Sequence, residues 1–493
     1  MQNKEKQTLQ LPSEPKASEK WWALFGIGTG VFMFGLDIHI VTLALPTLVE
    51  SFHTNFITIQ WVAIGYLLML NVFVLAVGRL GDIYSKKLLY LTGMLLFTLG
   101  SLLCGLAPNV SFLIGFRVIQ GIGAVFIAAL GTAIITEIFP EKQRGQALGI
   151  IAGIFAISIA LGPTVGGLLI NLWDWPLIFW VNVPIGVIAS WIVLRVVPKE
   201  IITKESQPFD WIGALLMAIS LSCFAVGITL VQNQGFGSIK VLILLTLAAI
   251  SLACFLVIES RIKAPLLNLK IFESLELSLN LLMNLIVYLA LTGVIFIIPF
   301  FLELVKHYPA SQVGLLMAVQ PMVNGLISPV CGMLSDRFGE RIISLIGLIL
   351  MAFGYLAIAT FNSELTSLGY IMRMIPVGVG MGMFYAPNNS AVMGAVSKEY
   401  LGITSALLSL SRTFGHMSGV PILGALFSTF TIATAKLSGF DVKDVTDAPV
   451  EALVFGVQAT FHTAAIIMVA LVIVTSVFWI LEKAKKPIIT TSV

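Results

Sequence analysis

GRLGDIYSKK, residues 78–87, recurs as GMLSDRFGER at residues 332–341, with glycine, leucine and aspartate at matching first, third and fifth places. A basic residue also recurs at the tenth place. Two further matches follow in the same order: RVIQGIG from Arg117 with RMIPVGVG from Arg373, and a glycine that opens the next apolar run. The three offsets are 254, 256 and 257 residues. Ordered matches at a nearly constant offset predict two related halves.

The composition around this repeat is that of a membrane protein. Of the 493 residues, 58% are apolar and 11% are charged, against about 45–50% and about 25% in a soluble domain. Too little polar surface remains to cover a soluble globule, which excludes a soluble enzyme, a nucleic-acid binder and a disordered chain. The four cysteines lie in or beside apolar runs without CxxC spacing, so we expect no metal site.

Nearly uncharged runs long enough to cross a bilayer as helices occur fourteen times, since about 20 apolar residues suffice. They cover 22–48, 56–77, 88–107, 110–136, 147–171, 177–197, 209–231, 239–258, 275–303, 311–333, 342–361, 366–394, 402–431 and 454–481. The repeat assigns six spans to each half and leaves a pair between them. The predicted domains are a disordered tail (1–20), a first six-helix bundle (21–197), a linker with two extra spans (198–272), a second bundle (273–482) and a tail (483–493).

The basic residues predict the orientation. If both termini are cytoplasmic, 21 of the 28 lysines and arginines fall in inside loops and tails, four fall outside and three lie within spans. Such a bias is what the positive-inside rule expects. Because no apolar core with a cleavage site occurs in the first 20 residues, we expect no signal peptide. The protein is therefore predicted to be a multi-pass plasma-membrane protein, in the inner membrane if the cell is Gram-negative.

From about Trp22 to Leu481 the chain resembles the major facilitator superfamily, and within it the 14-helix drug:proton antiporter branch. The resemblance rests on four motifs in order: GLDIHIVTLALP (35–46), GRLGDIYSKK (78–87), RVIQGIG (117–123) and ALGPTVGG (160–167). It implies an all-α membrane fold of two six-helix bundles plus two extra helices, with the substrate site between the bundles.

The motif between the second and third spans resembles the family's conformational latch on the cytoplasmic side. Its glycines are expected to allow close backbone approach in a tight turn, and its aspartate to face a helix N-terminus. A basic loop that serves topology alone is the alternative. With its repeat, the predicted latch comprises Gly78, Arg79, Gly81, Asp82, Lys86, Lys87, Asp336 and Arg337, and Glu137 is a possible partner for a basic member.

Proton coupling is assigned to Asp37 and Arg117. Asp37 lies roughly 22 Å along a helix that starts near Trp22, close to the middle of the membrane, where a carboxylate can bind and release a proton. The alternative is an acid permanently paired with Arg117. The family pattern also has arginine at position 117, whose cost in hydrocarbon requires a cavity or a partner. Snorkelling of Arg117 to the headgroups is its alternative.

The motif ALGPTVGG resembles that of the antiporter members, in which it separates exporters from importers. Pro163 is expected to bend the helix, while Gly162, Gly166 and Gly167 let a neighbouring helix pack closely. Other polar residues within spans are candidates to line a substrate cavity, with bonding between helices as their alternative. They are His39, Asn71, Gln120, Asn284, Gln320, Asn324, Asn388, Arg412 and His416.

The expected function is proton-coupled export of small lipophilic compounds by alternating access. The proton gradient replaces any cofactor, the partners are substrate, protons and lipid, and we expect a monomer rather than an enzyme or nucleic-acid binder. The span interiors hold Asp37 against Arg117, Arg373 and Arg412, which favours neutral, monocationic or anionic substrates over dications. A dedicated exporter of an endogenous metabolite, lipid-like or anionic, is the second hypothesis, and a non-transporting membrane sensor is the third.

Overall fold

A computed structural model describes residues 17–198, 210–235, 237–262, 265–267, 269–396 and 401–485. The described residues form helices and connecting loops without strands. The helices are α1 Ala17–Ser51, α2 Phe56–Ile83, α3 Lys86–Gly105, α4 Val110–Ile138, α5 Glu141–Leu172, α6 Leu177–Trp180, α7 Asn182–Val196, α8 Trp211–Gln234, α9 Ile239–Glu259, α10 Leu275–Phe300, α11 Ala310–Met317, α12 Val319–Phe338, α13 Glu340–Ile358, α14 Ser367–Gly394, α15 Leu401–Leu437 and α16 Val450–Lys485.

Within these ranges fourteen helical segments are long and apolar enough to cross a membrane, which confirms the predicted number of spans. Most helices run a few residues beyond the predicted spans. The sixth span is broken into α6 and α7, and the tenth into α11 and α12. The ninth ends in a π-helical turn, Phe301–Val305, which begins two residues after Pro299. Proline has no N–H and so interrupts the regular hydrogen-bond ladder. The hydropathy pattern alone does not reveal such breaks.

Short polar residues begin several of the helices. The side chain of Asn55 accepts a hydrogen bond from the Thr58 N–H at 2.7 Å at the start of α2. Asn109 does the same for α4, at 3.1 Å. Side-chain caps of this kind satisfy backbone donors that a helix leaves open. They mark where these two helices begin.

The repeat seen in the sequence has a counterpart in the packing. In the first half α3 lies against α4, and in the second half α13 lies against α14, with backbones in contact at glycines. A Cβ on Gly100 would lie 2.7 Å from the Cα of Gln120, and a Cβ on Gly380 would lie 2.7 Å from the carbonyl oxygen of Gly347. A residue larger than glycine at either crossing would force the helices apart.

We call the end of the bundle at which α1 begins and α16 ends the terminal face, and the opposite end the far face. Near the far face, the two halves touch through α5 and α11. A Cβ on Gly314 of α11 would lie 2.9 Å from the carbonyl carbon of Pro163 in α5. Nearer the terminal face, no described atom lies within 4 Å of a Cβ built on Gly153 of α5 or on Gly325 of α12. These helices therefore meet toward the far face and diverge toward the terminal face.

The two extra helices pack on each other, and α8 also lies against α2 and α15. Phe224 of α8 and Phe414 of α15 have ring centroids 5.7 Å apart. Met217 of α8 belongs to a buried apolar cluster with Leu75 of α2 and Leu407 of α15. One helix of the extra pair thus contacts both halves.

Candidate functional site

The first predicted group, the latch motif, lies mostly at the end of a helix. Gly78 and Gly81 are within α2, and the connection to α3 consists of Tyr84 and Ser85. The expectation that both glycines form the turn is wrong, because the helix continues to Ile83. A Cβ on Gly81 would lie 2.5 Å from Cδ2 of Leu130, whereas one on Gly78 would have no described atom within 4 Å.

The basic residues of this motif tie α3 to its neighbours. Lys86 Nζ lies 2.7 Å from Glu137 Oε1 at the end of α4, the partner proposed from the sequence. Lys87 Nζ donates to the carbonyl oxygens of Leu194, at 2.9 Å, and Val197. A cation at these carbonyls satisfies the open end of α7.

In the second half, the repeat of this motif contains Arg337, which lies over the Phe338 ring with 5.4 Å between its Cζ and the centroid. The neighbouring Arg341 pairs with Glu276 at 2.6 Å. Arg79 belongs to the described residues of α2, and the side chains of Asp82 and Asp336 lie outside the described part. The latch role of this set stays a prediction.

Asp37 is completely buried, and both of its carboxylate oxygens have partners. Oδ2 accepts from Arg117 Nη1 at 2.6 Å. Oδ1 accepts from Gln120 Nε2 at 2.8 Å and from Asn182 Nδ2 at 3.2 Å. The carboxylate thus joins α1 to α4 and α7 inside the first half. A buried charge needs this degree of pairing and hydrogen bonding to be tolerated.

Arg117 is 1% exposed, so the snorkelling alternative is wrong. Its Nε donates to the Val62 carbonyl at 3.0 Å, and its Nη1 also donates to Gln120 Oε1 at 2.6 Å. The guanidinium carbon lies 4.1 Å from the centroid of the Tyr66 ring. The ring face and the carbonyl hold the guanidinium in one orientation toward Asp37.

Two glycine contacts place this network. Gly100 lets α3 approach the backbone of Gln120, so that Ser101 Oγ accepts from Gln120 Nε2 at 2.7 Å. On the other side of α1, the antiporter motif packs closely, as predicted. A Cβ on Gly162 would lie 2.6 Å from Cβ of His39, and one on Gly166 would lie 2.6 Å from Cγ1 of Ile40. Gly167 faces the second half instead, where its Cβ would overlap the backbone of Ala310.

A second polar group surrounds Arg412 on α15. Its Nη1 donates to the hydroxyl of Tyr385 at 2.8 Å. Its guanidinium carbon lies 5.1 Å from the ring centroid of Tyr385 and 6.0 Å from that of Tyr288. One turn further, His416 Nδ1 lies 3.0 Å from Thr292 Oγ1.

The other predicted cavity residues divide between the halves and the interface. Asn71 Oδ1 accepts from Thr413 Oγ1 at 2.8 Å and so links α2 to α15. Asn284 Nδ2 donates to Ser411 Oγ at 2.6 Å, within the second half. Asn324 Oδ1 accepts from Ser328 one turn along its own helix, at 3.0 Å. Gln320 and Asn388 are buried on α12 and α14. Asn71 and Asn284 make bonds between helices, which was the alternative to a cavity role.

Sequence reasoning did not assign Asn182 to the proton-coupling set, nor Tyr66, Tyr288 and Tyr385 to any site. Asn182 had a usable signal, because an amide within an apolar span needs a partner. The tyrosines had none, since aromatic residues are common in spans and their position over a guanidinium depends on how helices pack.

In the described part of the chain, fourteen helices long enough to cross a membrane, a repeated motif and buried charged networks are the features of a multi-pass membrane transporter. The sequence profile of the Major Facilitator Superfamily matches residues 27–265 and 281–492. The chain therefore belongs to this family. It is 31% identical over 414 residues to the Riboflavin transporter RibZ of Clostridioides difficile (strain 630), covering 83% of this chain and 89% of that one. It is 32% identical to the Multidrug resistance protein Stp of Mycobacterium tuberculosis, covering 84% and 77%.

Solved structures agree on the fold. A bacterial homologue of the human lysosomal transporter Spinster, in an inward-facing and unoccupied conformation, aligns with a TM-score of 0.67. The alignment covers 94% of this chain and 98% of that one at 15% sequence identity. At this identity the likeness concerns the fold.

Proposed function

We propose that the protein is a proton-coupled exporter of small compounds that works by alternating access. The observation that carries the proposal is the fully buried carboxylate of Asp37, bound to Arg117 at 2.6 Å in the interior of the first half. Protonation of Asp37 would remove the charge that Arg117 pairs with. The positions of α1 and α4 would then depend on whether the proton is bound, which is the linkage that a coupled transporter needs.

The predicted orientation puts both termini, and hence the terminal face, in the cytoplasm of a cell bounded by its plasma membrane. In that orientation α5 and α12 diverge toward the cytoplasm, and the conformation is open inward. Substrate would enter from the cytoplasm or the inner leaflet, and the halves would rock about the α5–α11 contact to expose it outside. The antiporter motif supports export through its resemblance to that of the exporter members, and its Gly167 lies in the contact between α5 and α11.

The experiment reconstitutes the protein in vesicles that contain a pH-sensitive dye and carry an imposed pH gradient. Neutral, monocationic, dicationic and anionic compounds are then added to wild type and to the Asp37→Asn variant. We expect one class to trigger proton flux in wild type only. Glu276→Gln is the matched control, since Glu276 also pairs with an arginine at 2.6 Å but is partly exposed. If proton flux survives in Asp37→Asn, the coupling site lies elsewhere, and His39 and His416 are the next residues to test.

A second candidate function is dedicated export of one endogenous metabolite. The similarity to a riboflavin transporter, at 31% identity over most of both chains, favours it. Riboflavin therefore belongs among the neutral compounds tested. Flux that responds to riboflavin and to no other compound would establish this reading. Absence of flux with every compound would contradict both functions and favour a sensor.

A further inference from the structure

Arg412 is partly exposed and differs from the fully buried Arg117 in its pairing. Arg117 is neutralised by Asp37 at 2.6 Å. No carboxylate of the described residues forms an ion pair with Arg412, whose neighbours are the hydroxyl and rings of two tyrosines. Its Nε is buried and has no hydrogen-bond partner within the described structure. One donor of a full positive charge is thus left open inside the protein.

The charges in the interior indicate what kind of ligand the open Arg412 donor would bind. The pair in the first half is neutral as a unit, so the second half contributes an excess positive charge near the middle of the bundle. Burying an uncompensated cation is costly, and intramembrane charges normally face a partner or a pathway. A bound anion would compensate the charge of such a cation.

The surroundings of Arg412 belong to the interface between the halves. Its neighbour Thr413 donates to Asn71 of α2 at 2.8 Å. The rings of His416 and Tyr288 meet edge to face with centroids 5.0 Å apart. A compound bound at Arg412 would therefore contact both halves, as a transported substrate must.

We propose that Arg412 binds the anionic group of the transported compound, and that the substrates are flat aromatic monoanions such as carboxylates or sulfonates. Guanidinium donors bind such oxygens with charge-assisted hydrogen bonds. The rings of Tyr288 and Tyr385 supply apolar, π-bearing walls on which an aromatic system packs. The inference rests on the proposed transport function and names its substrate class.

The test uses three probes that share one ring system: 1-naphthalenesulfonate, 1-naphthylmethanol and 1-naphthylmethylammonium. Their binding to the purified full chain is measured by naphthalene fluorescence, and their uptake into vesicles is measured separately. Wild type should bind the sulfonate about tenfold or more tightly than the ammonium, since a hydrogen bond to a charged group contributes about 1.5–3 kcal/mol. This order of affinities needs no variant, so a folding defect cannot obscure it.

Variants then assign the preference to one residue. Arg412→Gln should remove the preference for the sulfonate, and Arg412→Lys should restore part of it. Arg373→Gln is the matched control and should keep it, because this span arginine is bound to Thr360 Oγ1 at 2.9 Å and to the Gly369 carbonyl at 3.1 Å.

Equal binding of the three probes, or a sulfonate preference that persists in Arg412→Gln, would overturn the proposal. So would competition by chloride without any aromatic preference, which would mean that Arg412 holds a small inorganic ion. If the neutral or cationic probe drives proton flux and the sulfonate does not bind, export stands and the anionic class is wrong. If the sulfonate binds but no probe moves protons, the transport function fails while the site stands.

Discussion

Asp444 accepts a hydrogen bond from the backbone N–H of Phe56 through Oδ2 at 3.1 Å, although 388 positions separate them in the chain. The bond joins a loop of the second half to the first turn of α2. An anion is favourable there because of the open N–H groups and the helix dipole. The Phe56 ring is fully buried, and its centroid lies 5.3, 4.9 and 5.7 Å from those of Phe296, Phe300 and Phe427. Together these contacts close the far face.

Asp444→Ala should therefore favour the state that is open at the far face. The loss of one charge-assisted bond at a helix N-terminus is worth about 1–2 kcal/mol. Spin labels at Ser51 and Lys443 would report longer distances across the far face in the variant. Asp441→Ala, in the same loop and exposed, is the control and should leave the distances unchanged. Identical distance distributions for wild type and Asp444→Ala would show that the bond does not hold this face.

Arg117→Gln should be far more destabilising than the double change Asp37→Asn with Arg117→Gln. Removing one member of a buried pair leaves an uncompensated charge and costs about 3–5 kcal/mol, whereas removing both charges avoids that penalty. Thermal unfolding of the detergent-solubilised protein measures the difference. If the two substitutions destabilise additively, Asp37 and Arg117 do not act as a pair.

Gly167→Ala should impair transport and lower the unfolding temperature. Its new Cβ would overlap the backbone of Ala310 where α5 crosses α11, and overpacking of this kind costs about 1–3 kcal/mol. Gly153→Ala is the matched control on the same helix, because no described atom would lie within 4 Å of its Cβ. Since alanine favours a helix more than glycine does, an equal loss from Gly153→Ala would show that the contact between the halves does not explain the effect of Gly167→Ala.

Lys87→Met should destabilise the protein more than Lys86→Met, although the two lysines are adjacent. Lys87 bonds two carbonyls at the end of α7, and these would lose their donor. Lys86 pairs with Glu137, whose side chain is 48% exposed, and an ion pair that reaches solvent contributes about 0–1 kcal/mol. The unfolding temperatures of the two variants measure which substitution destabilises the protein more. A larger decrease for Lys86→Met than for Lys87→Met would contradict the prediction.

The sequence was sufficient for the fold because the signals that define it are long and repeated. Fourteen apolar runs and the recurring GRLGDIYSKK motif required no knowledge of packing. Asp37 and Arg117 were recognisable as a possible pair because charges are rare in spans. Their contact at 2.6 Å adds the partners Gln120 and Asn182, which depend on how closely α3, α4 and α7 approach.

Other parts of the site could not be read from the pattern. The Nε donor of Arg412 is open because no described side chain reaches it. The absence of a contact leaves no pattern in the sequence from which it could be predicted. The turn glycines were misplaced for a related reason. Gly78 and Gly81 permit a turn but do not require one, and α2 continues past both to Ile83.

The Asp37 network is built entirely from helices of the first half, while Arg412 and its tyrosines stand on the second. On the proposed roles, the first half of the chain carries proton coupling and the second half carries substrate specificity. Mutations of Tyr288 or Tyr385 would then change which compounds are exported and leave the proposed coupling pair of Asp37 and Arg117 intact. Under this division, new substrate preferences could evolve while the residues proposed for proton coupling stay unchanged.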